Sequence, residues 1–173
     1  AGSRLLLKSS GNVDPVAYTR VKDIIVAEGI EAERIAFTST VPDKADHYRH
    51  YNRVDIALDP FPYNGTTTTV EALWMGVPVV TIAGNRFISR VGESIMTTLG
   101  SPEWSAETMD DYVRIAVSLA ADVPALAEIR ASLRPRLVTS PLCDAPRFAR
   151  NFENALRGMW RAWCEKRAES PPQ

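Results

Sequence analysis

The chain has 173 residues, of which 45% are hydrophobic and 24% charged, with a formal net charge of −1. That suits one ordinary core-forming domain and excludes disordered or collagen-like polymers; scattered basic residues leave no electrostatic footprint for nucleic acid or an anionic membrane. Cys143 and Cys164 lie far apart and outside any C-x-x-C pair, no apolar run is long enough to span a bilayer, and "AGS" reads as a cloning remnant, so a reduced cytoplasmic protein is expected.

In chain order, "SRLLLKSS" is an apolar run with polar flanks, the pattern of a buried strand. "DPVAYTRVKDIIVAEGI" follows as a helix, with Asp14 as N-cap, Pro15 at the first position, a stripe of Val21, Ile24 and Ile25, and Gly29 at its end. "RIAFTST" predicts a second strand, "PDKADHYRHYNR" a short polar helix and "VDIALDPF" a third strand; Thr66 to Met75 then read as a helix and "VPVVTIA" as a strand. Such β-α repeats with short connections require a parallel sheet with helices on both faces, which binds ligands at the carboxyl ends of its strands. "NRFISRVGES" begins another helix, in which Arg90 stands either near a bound anion or in an ion pair. From about Ser105 the strand signal stops. Two helices follow, the first expected to be capped by Ser105 and the second beginning after Asp122 with Pro124 in its first turn. A last helix, "RFARNFENALRGMWRAWCEK", carries Phe148, Phe152, Leu156 and Trp160 at four-residue steps, with Met159 and Trp163 beside them; its default reading is core packing, and the tail after it is expected to fray.

The most informative stretch is "YNGTTTTVEALWMGVPVV", residues 63–80. Asn64-Gly65 turns the chain and Thr66, Thr67 and Thr68 fall at the cap and first turn of a helix, where amide donors and the positive end of the macrodipole favour a phosphate. Glu71 projects from the same face one turn deeper; next to a phosphate it is repelled unless it serves another part of the ligand, and a ribose diol offers two donors to a fixed acceptor. The structural alternative is a threonine cap with Glu71 as its capping-box partner. Other chemistries lack their marks: the chain has no Gly-x-Ser-x-Gly elbow, no Gly-x-x-x-x-Gly-Lys-Thr loop and no Gly-x-Gly-x-x-Gly.

"DIALDPFPYNGTTTTVEALWMGVPVVTIAGNRFISRVGESIMTTLG", continued by "SPL" and an aromatic helix, resembles the carboxyl-terminal half of the catalytic region of the O-linked N-acetylglucosamine transferase family, whose plant relatives are the SPINDLY-type transferases. The acid on a helix before Gly-x-Pro-Val-Val is shared by transferases of the two-Rossmann "GT-B" architecture, and the Asn-Gly-x-Thr-Thr and "SRVGES" segments narrow it to this family. The resemblance implies a Rossmann-like UDP-binding domain over residues 4–140 and, over 141–168, a carboxyl-terminal helix that packs on an amino-terminal half. It implies that Thr67 and Thr68 hold the diphosphate of UDP, with Gly65 in the turn before them. Thr66 stands where the family often has histidine, and Glu71 where an acid, commonly aspartate, holds the ribose. Lys44 and His47 match a Lys-x-x-His element lining the uracil and ribose, with the backbone at Val41 pairing to the base; His50 matches no family site and reads as surface.

The family's proposed catalytic histidine and its Gln-x-x-Lys element belong to segments preceding this one, so no catalytic residue is expected within the chain. The implied reaction is inverting transfer of N-acetylglucosamine from UDP to Ser or Thr of an acceptor protein, with no cofactor and, as the lack of an Asp-x-Asp pair agrees, no metal. Two alternatives stay open: a GT-B relative using another nucleotide sugar or acceptor, and a non-catalytic nucleotide-binding module. Nucleic-acid and membrane partners are not expected, and self-association through the last helix is.

Overall fold

The computed structural model describes residues 2–9 and 14–169. Of the tail 167–173 expected to fray, 167–169 continue the last helix and 170–173 lie outside the described residues. The chain divides into two compact units, residues 1–55 and 56–173.

In the first unit, β1 (Leu5–Ser9) pairs in parallel with β2 (Ile35–Ser39), Leu5 opposite Ile35 and Ser9 opposite Ser39. The crossover is α1 (Pro15–Ala27): Asp14 accepts from the Val16 amide, Pro15 supplies a preset φ, and Gly29 follows the helix at φ 86°. Tyr18 packs on Phe37 of β2 at 4.6 Å, while Val21 and Ile24 of the predicted stripe are exposed. A short helix, α2 (Lys44–Arg49), is capped by Asp43 and runs into a 3-10 turn over His50–Arg53.

The second unit is built on a parallel sheet of order β3-β4-β5: β3 (Ala57–Leu58), β4 (Val79–Ile82) and β5 (Ser105–Ala106). Between them run α3 (Thr67–Trp74) and α4 (Val91–Leu99), followed by α5 (Met109–Ala121), α6 (Val123–Thr139) and α7 (Ala145–Glu169). Leu73, Val77, Val80, Met96, Leu133 and Leu137 are fully buried and form the core under the sheet. β4 is buried at all four of its positions because it is the central strand of the three, covered on both faces.

α6 fixes the far end of α3. Gly76, at φ 75°, lets the backbone pass so close to α6 that a Cβ there would lie 2.8 Å from the Arg130 carbonyl oxygen. Arg134 donates to the Trp74 carbonyl at 2.7 Å and lies over the indole, covering a C-terminal acceptor of α3 that no helical amide reaches.

Three expectations are corrected. Strand structure does continue at Ser105, as β5, but only for two residues, too few to show a period. Ser105 therefore does not cap α5; Thr108 does, its hydroxyl oxygen accepting from the Asp111 amide at 3.1 Å. The aromatic stripe of α7 is not core, since Phe148, Phe152, Leu156, Met159, Trp160 and Trp163 are all exposed.

Candidate functional site

The loop 59–65 and the first turn of α3 lie at the carboxyl end of β3, where open parallel sheets bind ligands. Asp59, the first residue past the strand, is buried and ties the loop down from beneath. Its Oδ1 accepts from the Gly65 amide and its Oδ2 from the Thr81 hydroxyl, each at 2.7 Å. Burial pushes its carboxyl up from the ordinary range, against the opposing pull of those two donors. The Asp59 carbonyl accepts from the Tyr112 hydroxyl at 3.0 Å, and the phenol is pushed up to about 12 by burial first and by the Asp59 charge second. Asn64, also buried, donates to the Pro60 carbonyl and accepts from the Gly92 amide at 3.2 Å, joining the loop to the start of α4.

Of the four threonines, Thr66, Thr67 and Thr68 are exposed and Thr69 is buried. Thr66 is the N-cap residue, yet its side chain makes no cap hydrogen bond. The first helical bond runs from the Val70 amide to the Thr66 carbonyl, so the amides of the first turn lie upstream of the ladder and at the positive end of the helix. Gly65 has no room for a side chain: a Cβ there would meet Thr68 Oγ1 and Thr69 Oγ1 at 2.7 Å.

Glu71 is half-buried one turn in, on the face of Thr67 and Thr68. With Thr66 as cap, the capping-box position is Thr69, so the box alternative does not hold for Glu71. The first turn thus offers hydroxyls and amides to an anion, and a carboxylate to donors about one turn away.

Across the loop, the segment after β4 is held by Gly84 donating to the Ser89 carbonyl and by Asn64 donating to that of Ile88. Arg90 pairs with Glu93 at 2.7 Å and donates to the Gly84 carbonyl, the ion pair that one of its two readings expects.

In the first unit, Val41 is partly buried in the loop after β2, Lys44 opens α2 and His47 follows one turn on. Lys8, at the end of β1, donates to His47 Nδ1 at 2.5 Å. An ammonium has no lone pair to offer, so Nδ1 is the acceptor and the ring proton sits on Nε2, leaving that nitrogen a donor. His47 also contacts the Tyr48 and Tyr51 rings edge-on. His50, expected at the surface, is partly buried, with Nδ1 3.4 Å from the Thr38 hydroxyl. Burial, then the Lys8 charge, lowers its pKa.

Val41, Lys44 and His47 therefore belong to one unit, and Gly65, Thr66, Thr67, Thr68 and Glu71 to the other. Sequence reasoning missed Lys8, Asp59, Asn64, Thr81 and Gly92. Only Asp59 and Asn64 carried a local signal, as an acid at a strand end before proline and an asparagine before glycine.

Residues 14–152 match the glycosyl transferase family 41 domain. A probable UDP-N-acetylglucosamine–peptide N-acetylglucosaminyltransferase SPINDLY of Petunia hybrida is 40% identical over 163 residues, 94% of this chain and 18% of that protein. Its Arabidopsis thaliana counterpart is 44% identical over 137 residues, 79% of this chain and 15% of the relative. Among solved structures, a mutant O-GlcNAc transferase of Thermobaculum terrenum superposes with a TM-score of 0.86 at 38% identity, over 94% of this chain and 31% of that one. The chain thus spans less than a fifth of the length of these curated relatives, and its α/β architecture of parallel strands flanked by helices is that of a GT-B fragment. With four-fifths of its length inside the domain match, the chain belongs to glycosyl transferase family 41.

Proposed function

We propose that the chain is the donor-binding half of a protein O-glycosyltransferase that moves N-acetylglucosamine from UDP-N-acetylglucosamine to Ser or Thr of an acceptor protein, with inversion and without a metal. The observation that carries this reading is the first turn of α3: exposed Thr66, Thr67 and Thr68 at a helix start whose cap hydroxyl makes no cap bond, over a loop anchored from below. A leaving diphosphate needs its charge met by preorganised donors, and these amides and hydroxyls supply them. Glu71 takes the ribose diol. Val41, Lys44 and His47 take the uracil and ribose, with His47 donating through Nε2.

Residues 4–140 form the UDP-binding domain, and 141–168 the helix whose exposed aromatic face rests on an amino-terminal half. The names of the relatives support the donor and the peptide acceptor. Exposed free Cys143 and Cys164, with no helix among the described residues long and apolar enough to cross a membrane, are consistent with a cytoplasmic setting.

A thermal-shift panel tests the reading. UDP and UDP-N-acetylglucosamine should raise the melting temperature of this chain with or without a chelator. A larger shift with GDP favours another nucleotide sugar, no shift with any nucleotide favours an interaction module, and loss of the UDP shift on chelation contradicts the metal-free site.

A further inference from the structure

We propose that Asp59 is the positioning residue of the donor diphosphate site, acting through the Gly65 amide to set the first turn of α3. The proposal rests on the donor-site reading above and goes beyond it, because Asp59 touches no ligand in that reading.

Three observations converge on this carboxylate. It is buried, only 4% exposed, at the end of a two-residue strand too short to hold the following loop by ladder bonds. Both its oxygens are engaged at 2.7 Å, one by the residue immediately before the cap of α3 and one by Thr81 of β4, so it links the helix start to the central strand. The packing around it leaves no slack. A Cβ on Gly92 would lie 2.8 Å from Asp59 Oδ2, and one on Gly65 would lie 3.3 Å from Oδ1. Its backbone is held as well, by the amide's bond to the Val80 carbonyl at 2.9 Å and by the Tyr112 hydroxyl.

Thr66 has no cap hydrogen bond of its own, so the position of this helix start is set by its neighbours, and Gly65 is the nearest fixed point. Removing the Asp59 acceptor frees the Gly65 amide, and the first-turn groups lose their common aim. An effect of this kind falls on the phosphates and spares the nucleoside, which a general loss of folding does not.

The experiment titrates UDP and uridine into this chain and into its Asp59→Ala, Asp59→Asn and Thr68→Val variants. Asp59→Ala should weaken UDP about tenfold and uridine less than about twofold. Asp59→Asn should recover most of the UDP affinity, since an amide oxygen still accepts from Gly65. Equal losses for both ligands, or none, overturn the proposal. If Asp59→Ala does not fold, Gly65→Ala takes its place: its Cβ meets the Thr68 and Thr69 hydroxyls and pushes the helix start off Asp59, so a UDP-selective loss supports the positioning role and unchanged affinity overturns it. Thr68→Val separates the two claims. A UDP-selective loss there without one at Asp59 removes the positioning role and keeps the donor site, whereas unchanged UDP affinity in Thr68→Val removes both.

Discussion

Two helical glycines should respond to alanine with opposite signs. Gly92 lies in the first turn of α4, where an added Cβ would come within 2.1 Å of Thr81 Oγ1 and 2.8 Å of Asp59 Oδ2. Alanine is favoured over glycine in a helix by about 0.8–1 kcal/mol. Against that gain stand overpacking of about 1–3 kcal/mol and loss of the Thr81–Asp59 hydrogen bond, which leaves a buried carboxylate oxygen unpaired at a further cost of about 1–3 kcal/mol. Gly92→Ala should therefore destabilise the second unit by about 1–5 kcal/mol, the propensity gain subtracted. Gly158 lies in α7, where an added Cβ meets nothing within 4 Å, so Gly158→Ala keeps only the propensity term and should stabilise by up to about 1 kcal/mol. Urea unfolding of the two variants beside the parent checks this. A neutral or stabilising Gly92→Ala would refute the reasoning, since it would mean that the Asp59–Thr81 contact gives way freely.

Glu71→Gln should weaken UDP and uridine by a similar factor, because both ligands keep the ribose; titration calorimetry that finds neither changed removes the ribose role. The chain should self-associate through the stacked and exposed indoles of Trp160 and Trp163, and Trp160→Ser with Trp163→Ser should abolish that association; sedimentation showing a strictly monomeric parent at high micromolar concentration contradicts this. Asp59 has a folded-state pKa raised above 3.8 by burial, so its contribution to stability is full below that value and is lost as pH rises through the folded pKa. Asp59→Asn should therefore gain stability relative to the parent as pH rises above 3.8 and match it at lower pH, and denaturation midpoints showing the opposite trend would contradict the raised pKa.

The alternation of strand and helix was legible because caps and stops are local. Asp14 and Asp122 cap as read, and Gly29 and Gly76 take positive φ where the helices end. The helix start at Thr66–Thr68 was legible for the same reason. What escaped depends on contacts remote in sequence. β5 is two residues long and exists through pairing with β4, which no window over its own residues reveals, whereas the strand read from "VDIALDPF" does form, as the two residues of β3. Asp59 reads as a turn acid, and only Thr81, 22 residues on, and Tyr112, 53 residues on, make it an anchor. Lys8 reads as the polar flank of a strand until α2 brings His47 to its ammonium, 39 residues later. The stripe of α7 was read correctly as an apolar face, but periodicity says which side of a helix seeks cover and not what covers it.

The central claim, that the first turn of α3 receives the donor diphosphate, is tested most directly by a crystal structure of this chain with UDP. The account predicts phosphate oxygens within about 2.7–3.2 Å of the Thr67 and Thr68 hydroxyls and the first-turn amides, with the ribose diol at Glu71. UDP bound with its phosphates away from this helix start, or with Glu71 facing solvent beside an ordered nucleotide, would contradict it.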